Sequence, residues 1–152
     1  MSRTSFSQRV NAPRERVYRA ILDPVAVAQW QVPDGMTSVV HEFDAREGGP
    51  FRISLSYAGA PGVGKTSAHT DTFQGRFEQL VENELIRQSV EFETNDPAMQ
   101  GKSTILYLLS EVDGATEIAA VHDHVPPGVA PEDNLTGWQM SLGKLAKLVE
   151  GQ

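Results

Sequence analysis

The sequence predicts an α+β fold in which one antiparallel sheet is covered by a C-terminal helix. Three observations carry this. Strand-like segments follow one another from about Val39 to Val125, most of them separated by short turn signals. Strands joined by tight turns pair antiparallel, because parallel neighbours need long crossovers. After Pro131 the period changes: Leu135, Trp138, Leu142, Leu145 and Val149 recur at spacings of 3, 4, 3 and 4, the apolar stripe of one helix. A sheet that is apolar on one face must bury it, and this helix is the available cover.

Each element follows from its residues. Thr4 to Val10 reads as a short strand, with Phe6 and Val10 among polar neighbours. Asn11-Ala12-Pro13 then opens a helix to about Leu22, since proline suits a helix start, where its missing N–H costs nothing. Val17, Ala20 and Ile21 share one face of it. Asp23-Pro24 interrupts that helix, and Pro24 starts a second short one reaching Trp30. Val39, His41 and Phe43 alternate with Val40, Glu42 and Asp44, and Gly48-Gly49-Pro50 turns the chain. Phe51, Ile53, Leu55 and Tyr57 form a clean row of period two. Phe73, Gly75, Phe77 and Val81 make the next row, and Ile86, Gln88, Val90 and Phe92 the one after. Ser103 to Ser110 is strongly apolar. Asp113-Gly114 is a hairpin signal leading into Thr116 to Val125. Glu132 and Asp133 at the start of the last helix, with Lys144 and Lys147 towards its end, suit the helix dipole.

The bulk properties narrow the function. A chain of 152 residues is expected to form a single domain over 1–152. With 39% hydrophobic and 22% charged residues it has the composition of a folded protein. The net charge of −7 and scattered basic residues argue against nucleic acid, whose phosphates call for clustered Lys and Arg. With no cysteine there is no disulfide, thiol nucleophile or thiolate metal site, which suits a cytoplasmic location. The longest apolar run, Ile105 to Leu109, is too short to span a membrane, and the N-terminal residues lack a secretory h-region.

Several short motifs, in order, carry a resemblance. They are Asn11-Ala12-Pro13 with Val17-Tyr18 and Ala20, Asp23-Pro24 leading to Trp30, and Asp44-Ala45-Arg46-Glu47-Gly48-Gly49-Pro50-Phe51. Gly75, Gly114-Ala115-Thr116 and Gly137-Trp138 with Leu142 complete the set. In this the chain resembles the SRPBCC, or START-like helix-grip, superfamily. Within it the chain is most similar to the family named for the C-terminal part of the activator of the heat-shock-protein-90 ATPase. The resemblance implies a curved seven-stranded antiparallel sheet wrapped around the C-terminal helix, with two short helices after the first strand and a cavity under the long helix. The superfamily includes lipid carriers, hormone receptors and cyclases, so it leaves the ligand open.

One motif points elsewhere. Gly59 to Thr66, GAPGVGKT, satisfies the P-loop pattern, in which glycine N–H groups and a Lys cradle phosphates. A P-loop follows a buried parallel strand and precedes a helix. Here the preceding strand, Phe51 to Tyr57, is polar on alternate residues, and Ser67 to Thr72 is poor in helix formers. A glycine-rich hairpin loop accounts for the segment better.

The remaining chemistry concentrates on the inner face. His122 and His124 lie two apart on a strand, in the row of Ile118 and Ala120, so both are expected to face inward. Two imidazoles there could fix a polar group, move a proton or, with a third ligand, hold a metal. Trp30, Phe51, Phe73, Phe77, Tyr107 and Trp138 are expected near the same surface, where aromatics line pockets and equally fill cores. Arg52 and Arg87 are alternative anchors for an acidic ligand, but their strand parity points them outward. Gly75, Gly137 and Gly143 sit where glycine is costly, which marks close approach or room for a ligand.

The leading expectation is therefore a small hydrophobic or amphipathic ligand held by Trp30, Phe51, Phe73, Phe77, Tyr107, His122, His124 and Trp138. No catalytic or metal-binding residue and no cofactor is assigned. The alternatives are a chaperone-linked interaction domain, by the family resemblance, and a cavity enzyme of cyclase or hydrolase type with His122 or His124 as base. Nucleotide binding at 59–66 is a remote fourth. An edge strand could pair two subunits into a homodimer.

Overall fold

A computed structural model describes residues 2–57 and 70–151. Strand β1 (Ser2–Val10) leads into helices α1 (Arg14–Ile21) and α2 (Pro24–Trp30). Six strands follow: β2 (Met36–Phe43), β3 (Pro50–Tyr57), β4 (Thr70–Val81), β5 (Leu85–Phe92), β6 (Ser103–Val112) and β7 (Ala115–Val125). The chain then enters helix α3 (Pro131–Glu150). The strands form one seven-stranded sheet in the order β1-β7-β6-β5-β4-β3-β2, antiparallel throughout.

Local chemistry sets the helix boundaries. The Asp23 carboxylate accepts the Val25 N–H at 2.9 Å, capping α2, and Pro24 occupies its first turn. Pro131 does the same for α3, with Glu132 and Asp133 in the first turn and Lys147 in the last. The β6–β7 hairpin turns through Asp113 (φ 51°) and Gly114 (φ 81°), the paired positive φ of a two-residue turn that matches strand twist.

The concave face and α3 enclose the core. Val17, Ile21, Trp30, Phe77, Ile86, Tyr107, Ile118, Leu142 and Leu145 are fully buried there. Trp30 is fixed by its indole N–H, which donates to the Ala20 carbonyl at 3.0 Å. Buried Thr116 on β7 donates to the Ala12 carbonyl at 2.7 Å, tying the sheet to the entry of α1. At Gly75 the β4 and β5 backbones press together. A Cβ there would collide with the Ser89 carbonyl and lie 2.9 Å from Phe51 Cζ.

Two strands depart from strict alternation. On β2 the register shifts between Val40 and Glu42, so His41 is an extra residue. Val40 and Phe43 consequently pack on the core while Val39 is 52% exposed, correcting the predicted row of Val39, His41 and Phe43. On β4 the shift between Phe77 and Gln79 makes Glu78 the extra residue, and Leu80 rather than Val81 turns inward.

Candidate functional site

Helix α3 runs close to β1 and α2. Away from that contact, α3 and the sheet separate around a cavity of about 500 Å³. The sheet supplies its floor through Leu55 and Tyr57 of β3, Phe73 of β4, Val90 and Phe92 of β5, and Ile105 of β6. These are the inward positions of a period-two pattern, so alternation along each strand builds an apolar wall. Helix α3 closes the other side with Asn134, Gly137, Trp138 and Ser141, positions one turn apart on one face. The segment after α2 forms part of the rim with Gln31, Pro33, Asp34 and Met36. It is held to α3 by Lys144, whose ammonium donates to the Val32 carbonyl at 2.6 Å and pairs with Asp34 at 2.9 Å.

His122 of β7 lies on the lining of this cavity. Its Nδ1 lies 3.4 Å from the Trp138 indole nitrogen and 3.1 Å from Asn134 Nδ2. An indole N–H can only donate, so Nδ1 is the acceptor and carries no proton. Asn134 is held in turn by Thr4 Oγ1 at 2.9 Å. The neutral ring therefore has its hydrogen on Nε2. That atom is buried and has no hydrogen-bond partner among the described residues. Burial pushes the imidazole down from its ordinary 6.5 to about 4, so it stays neutral at physiological pH. The Trp138 ring meets His122 edge to face at 5.9 Å and Tyr107 at 5.8 Å, which fixes the position of the indole.

Of the residues predicted to line a pocket, the structure brings Phe73, His122 and Trp138 together on the cavity surface. The other five are placed elsewhere. Trp30, Phe51, Phe77 and Tyr107 share the inward face but sit in the packed core, where ring contacts surround them. Tyr107 supports the wall from behind through Trp138, and its burial raises the phenol pKa. His124 points outward, correcting the expectation that it shares the row of His122. The β1–β7 register shifts between Ser2 and Thr4, His124 takes a left-handed φ of 56°, and its side chain is exposed while Val125 turns inward. The Ser103 hydroxyl donates to the His124 carbonyl at 3.0 Å, holding the bulge.

Arg52 and Arg87 stand outside the site. Arg52 makes a two-point pair with Glu93 at 2.7 and 2.9 Å, and Arg87 is exposed. Sequence reasoning missed Asn134, although it lies one helical turn before Trp138 and so shares its face. Sequence reasoning offered Asp71 only as one of several unplaced carboxylates and histidines; the structure makes it a buried carboxylate on the cavity wall that accepts from the Tyr57 hydroxyl at 3.3 Å. Gly137 faces open space, and a Cβ there would meet nothing within 4 Å.

The P-loop-like residues 59–66 lie outside the described residues. The strands on either side of them, β3 and β4, are antiparallel neighbours rather than a parallel strand and crossover helix. Among the described residues no group of three or more His, Asp or Glu could hold a metal ion. No helix among them is long and apolar enough to cross a membrane.

A curved antiparallel sheet closed over a long C-terminal helix, with a cavity between, defines a helix-grip domain. Comparison with known proteins agrees. A crystallised Chromobacterium violaceum protein is 34% identical, with 97% of this chain and 96% of that one covered and a TM-score of 0.87. A Rhodobacter sphaeroides protein at 19% identity covers 99% and 93% with a TM-score of 0.81. The AHSA1 protein of Silicibacter pomeroyi, 16% identical, covers 97% of each chain with a TM-score of 0.79. No curated protein matches the chain. The family model described as activator of Hsp90 ATPase homolog 1-like protein matches residues 11–150, and the chain belongs to that family.

Proposed function

We propose that the protein binds a small apolar or amphipathic molecule in the cavity between the sheet and α3. The observation that carries this is a cavity of about 500 Å³ between the sheet and α3, walled by Leu55, Phe73, Val90, Phe92, Ile105 and Trp138 with His122 and Asn134 on its lining. Ligand sites typically span roughly 300–1,000 Å³ and combine apolar walls with a few placed polar groups. A chaperone-linked role has the family's name behind it, and nothing at the cavity calls for it. The hydrolytic reading finds less support, because Nδ1 of His122 is occupied by Asn134 and Trp138 and Nε2 is buried, so neither ring nitrogen is placed to act as a base on a ligand.

Nile red, a neutral apolar dye, tests the reading. Its fluorescence is expected to rise saturably with one site per chain. Gly137→Phe places a ring in the open space beside Trp138 and is expected to abolish that site without lowering Tm. Equal dye binding by both proteins would overturn the proposal. Native mass spectrometry of the purified protein should also show a bound small molecule that Gly137→Phe lacks.

A further inference from the structure

The face of the sheet turned away from α3 carries an apolar strip that the described residues leave uncovered. We propose that this strip docks a basic amphipathic helix of a partner protein. The inference goes beyond the cavity and does not depend on a ligand there.

The strand register places the strip. Val81, Leu85, Leu108 and Ala119 are paired in one line across β4, β5, β6 and β7. Their chain neighbours Leu80, Ile86, Leu109 and Ile118 turn to the core, so a period of two sends these four to the opposite face. Leu106 and Val121, paired with each other, widen the strip by one row. It ends at β1, where Ser7 and Ser5 stand opposite Ala119 and Val121. Val81 is 36% exposed and Leu108 38%, and the other four are half-buried. Single apolar residues scattered on a surface carry no message, but a contiguous patch marks an interaction site.

Charge and length say what fits. Glu84, Glu111, Asp113 and Glu117 lie at the hairpin end of the strip, and all four are exposed. None of them forms an ion pair among the described residues. Arg87, opposite Leu106, is the cation on the other flank. A second copy would bring the same carboxylates and the same net charge of −7, and an anionic membrane would be repelled as well. A cationic partner is the complementary one. Strands lie about 4.8 Å apart, so a line across four of them spans about 15 Å. A helix rises about 5.4 Å per turn, so apolar residues along about three turns cover the same length. Lys or Arg on one flank of that helix would then meet the four carboxylates.

The test uses two labelled peptides of about four helical turns, each with leucines along one face and with either lysine or glutamate elsewhere. Binding to the whole chain is read by fluorescence anisotropy at neutral pH in low and physiological salt. The lysine peptide is expected to bind at least about tenfold more tightly than the glutamate peptide, and more weakly as salt rises. Leu108→Ser and, separately, Val81→Ser should each weaken it about tenfold with Tm almost unchanged, because both side chains are at the surface. Glu84→Gln combined with Glu117→Gln should also weaken it about tenfold. Glu15→Gln combined with Glu132→Gln, the same charge change on α1 and α3, should leave it within about twofold. Equal losses from the two pairs would mean attraction to net charge alone and would overturn the docking face. Unchanged affinity in both serine variants would overturn it too, as would displacement of the peptide by Nile red, which would place the peptide in the cavity. If sedimentation shows a wild-type dimer that Leu108→Ser breaks, and neither peptide binds, a second copy covers the strip and the proposal fails. It fails equally if neutral phosphatidylcholine vesicles bind and the peptides do not.

Discussion

Replacing His122 with Gln should flatten the acid limb of the stability curve. In the folded protein burial holds this imidazole neutral down to about pH 4, against 6.5 when it is free in water. The folded state thus binds fewer protons than the unfolded chain between those values. A group with a depressed folded pKa supports the fold fully above the unfolded value. It loses that contribution as pH falls towards the folded one. At about 1.36 kcal/mol per pH unit, a fall from 6.5 to about 4 corresponds to roughly 3 kcal/mol, most of which is gone by about pH 4.5. Gln does not titrate. Urea unfolding of both proteins from about pH 7.5 to 4.5 should therefore show wild type losing roughly 2–3 kcal/mol more than the variant. The difference between the curves cancels the carboxylates common to both, including Glu93 and Asp123, whose pKa values are lowered by their arginine partners. Parallel curves would refute the argument, because they would mean that His122 is as well solvated when folded as when unfolded.

Other substitutions probe the parts that shape the cavity. His124→Gly relieves a left-handed residue and should leave Nile red binding unchanged while raising stability by up to about 1 kcal/mol, read from urea midpoints. Gly75→Ala forces a methyl group against the Ser89 carbonyl and the Phe51 ring. It should cost about 1–3 kcal/mol or more, visible as a lowered Tm. Thr116→Val keeps the side-chain shape but strips the Ala12 carbonyl of its donor, with an expected loss of about 1–3 kcal/mol in denaturant unfolding.

Much of the architecture was legible because alternation and helical spacing are local properties. Phe51, Ile53, Leu55 and Tyr57 alternate without interruption, and the structure places all four on the inner face. The stripe from Trp138 to Val149 likewise faces the core. The errors share one cause. Bulges at His41, at Glu78 and at the end of β7 each change the parity of the residues that follow. A single inserted residue leaves composition and hydrophobicity almost unchanged, so Val40, Leu80 and His124 take faces that plain alternation does not predict. The site was less legible than the fold for another reason. Phe73 and Phe77 occupy the same inward row, four residues apart, yet one borders empty space and the other is packed on every side. Which of them meets a ligand depends on how far the sheet and α3 separate at each level. Residue type does not record that distance. Asn134 escaped notice because its role depends on a contact with His122 across 12 positions of sequence.

The most direct measurement is a long-range proton–nitrogen NMR spectrum of the histidine and indole nitrogens, recorded free and with saturating Nile red. The account predicts a neutral His122 ring protonated at Nε2 in both states. Addition of the dye should shift the indole resonance of Trp138, which lines the cavity, and leave exposed His124 unmoved. A ring protonated at Nδ1, or a dye that binds while the Trp138 resonance stays still, would contradict it.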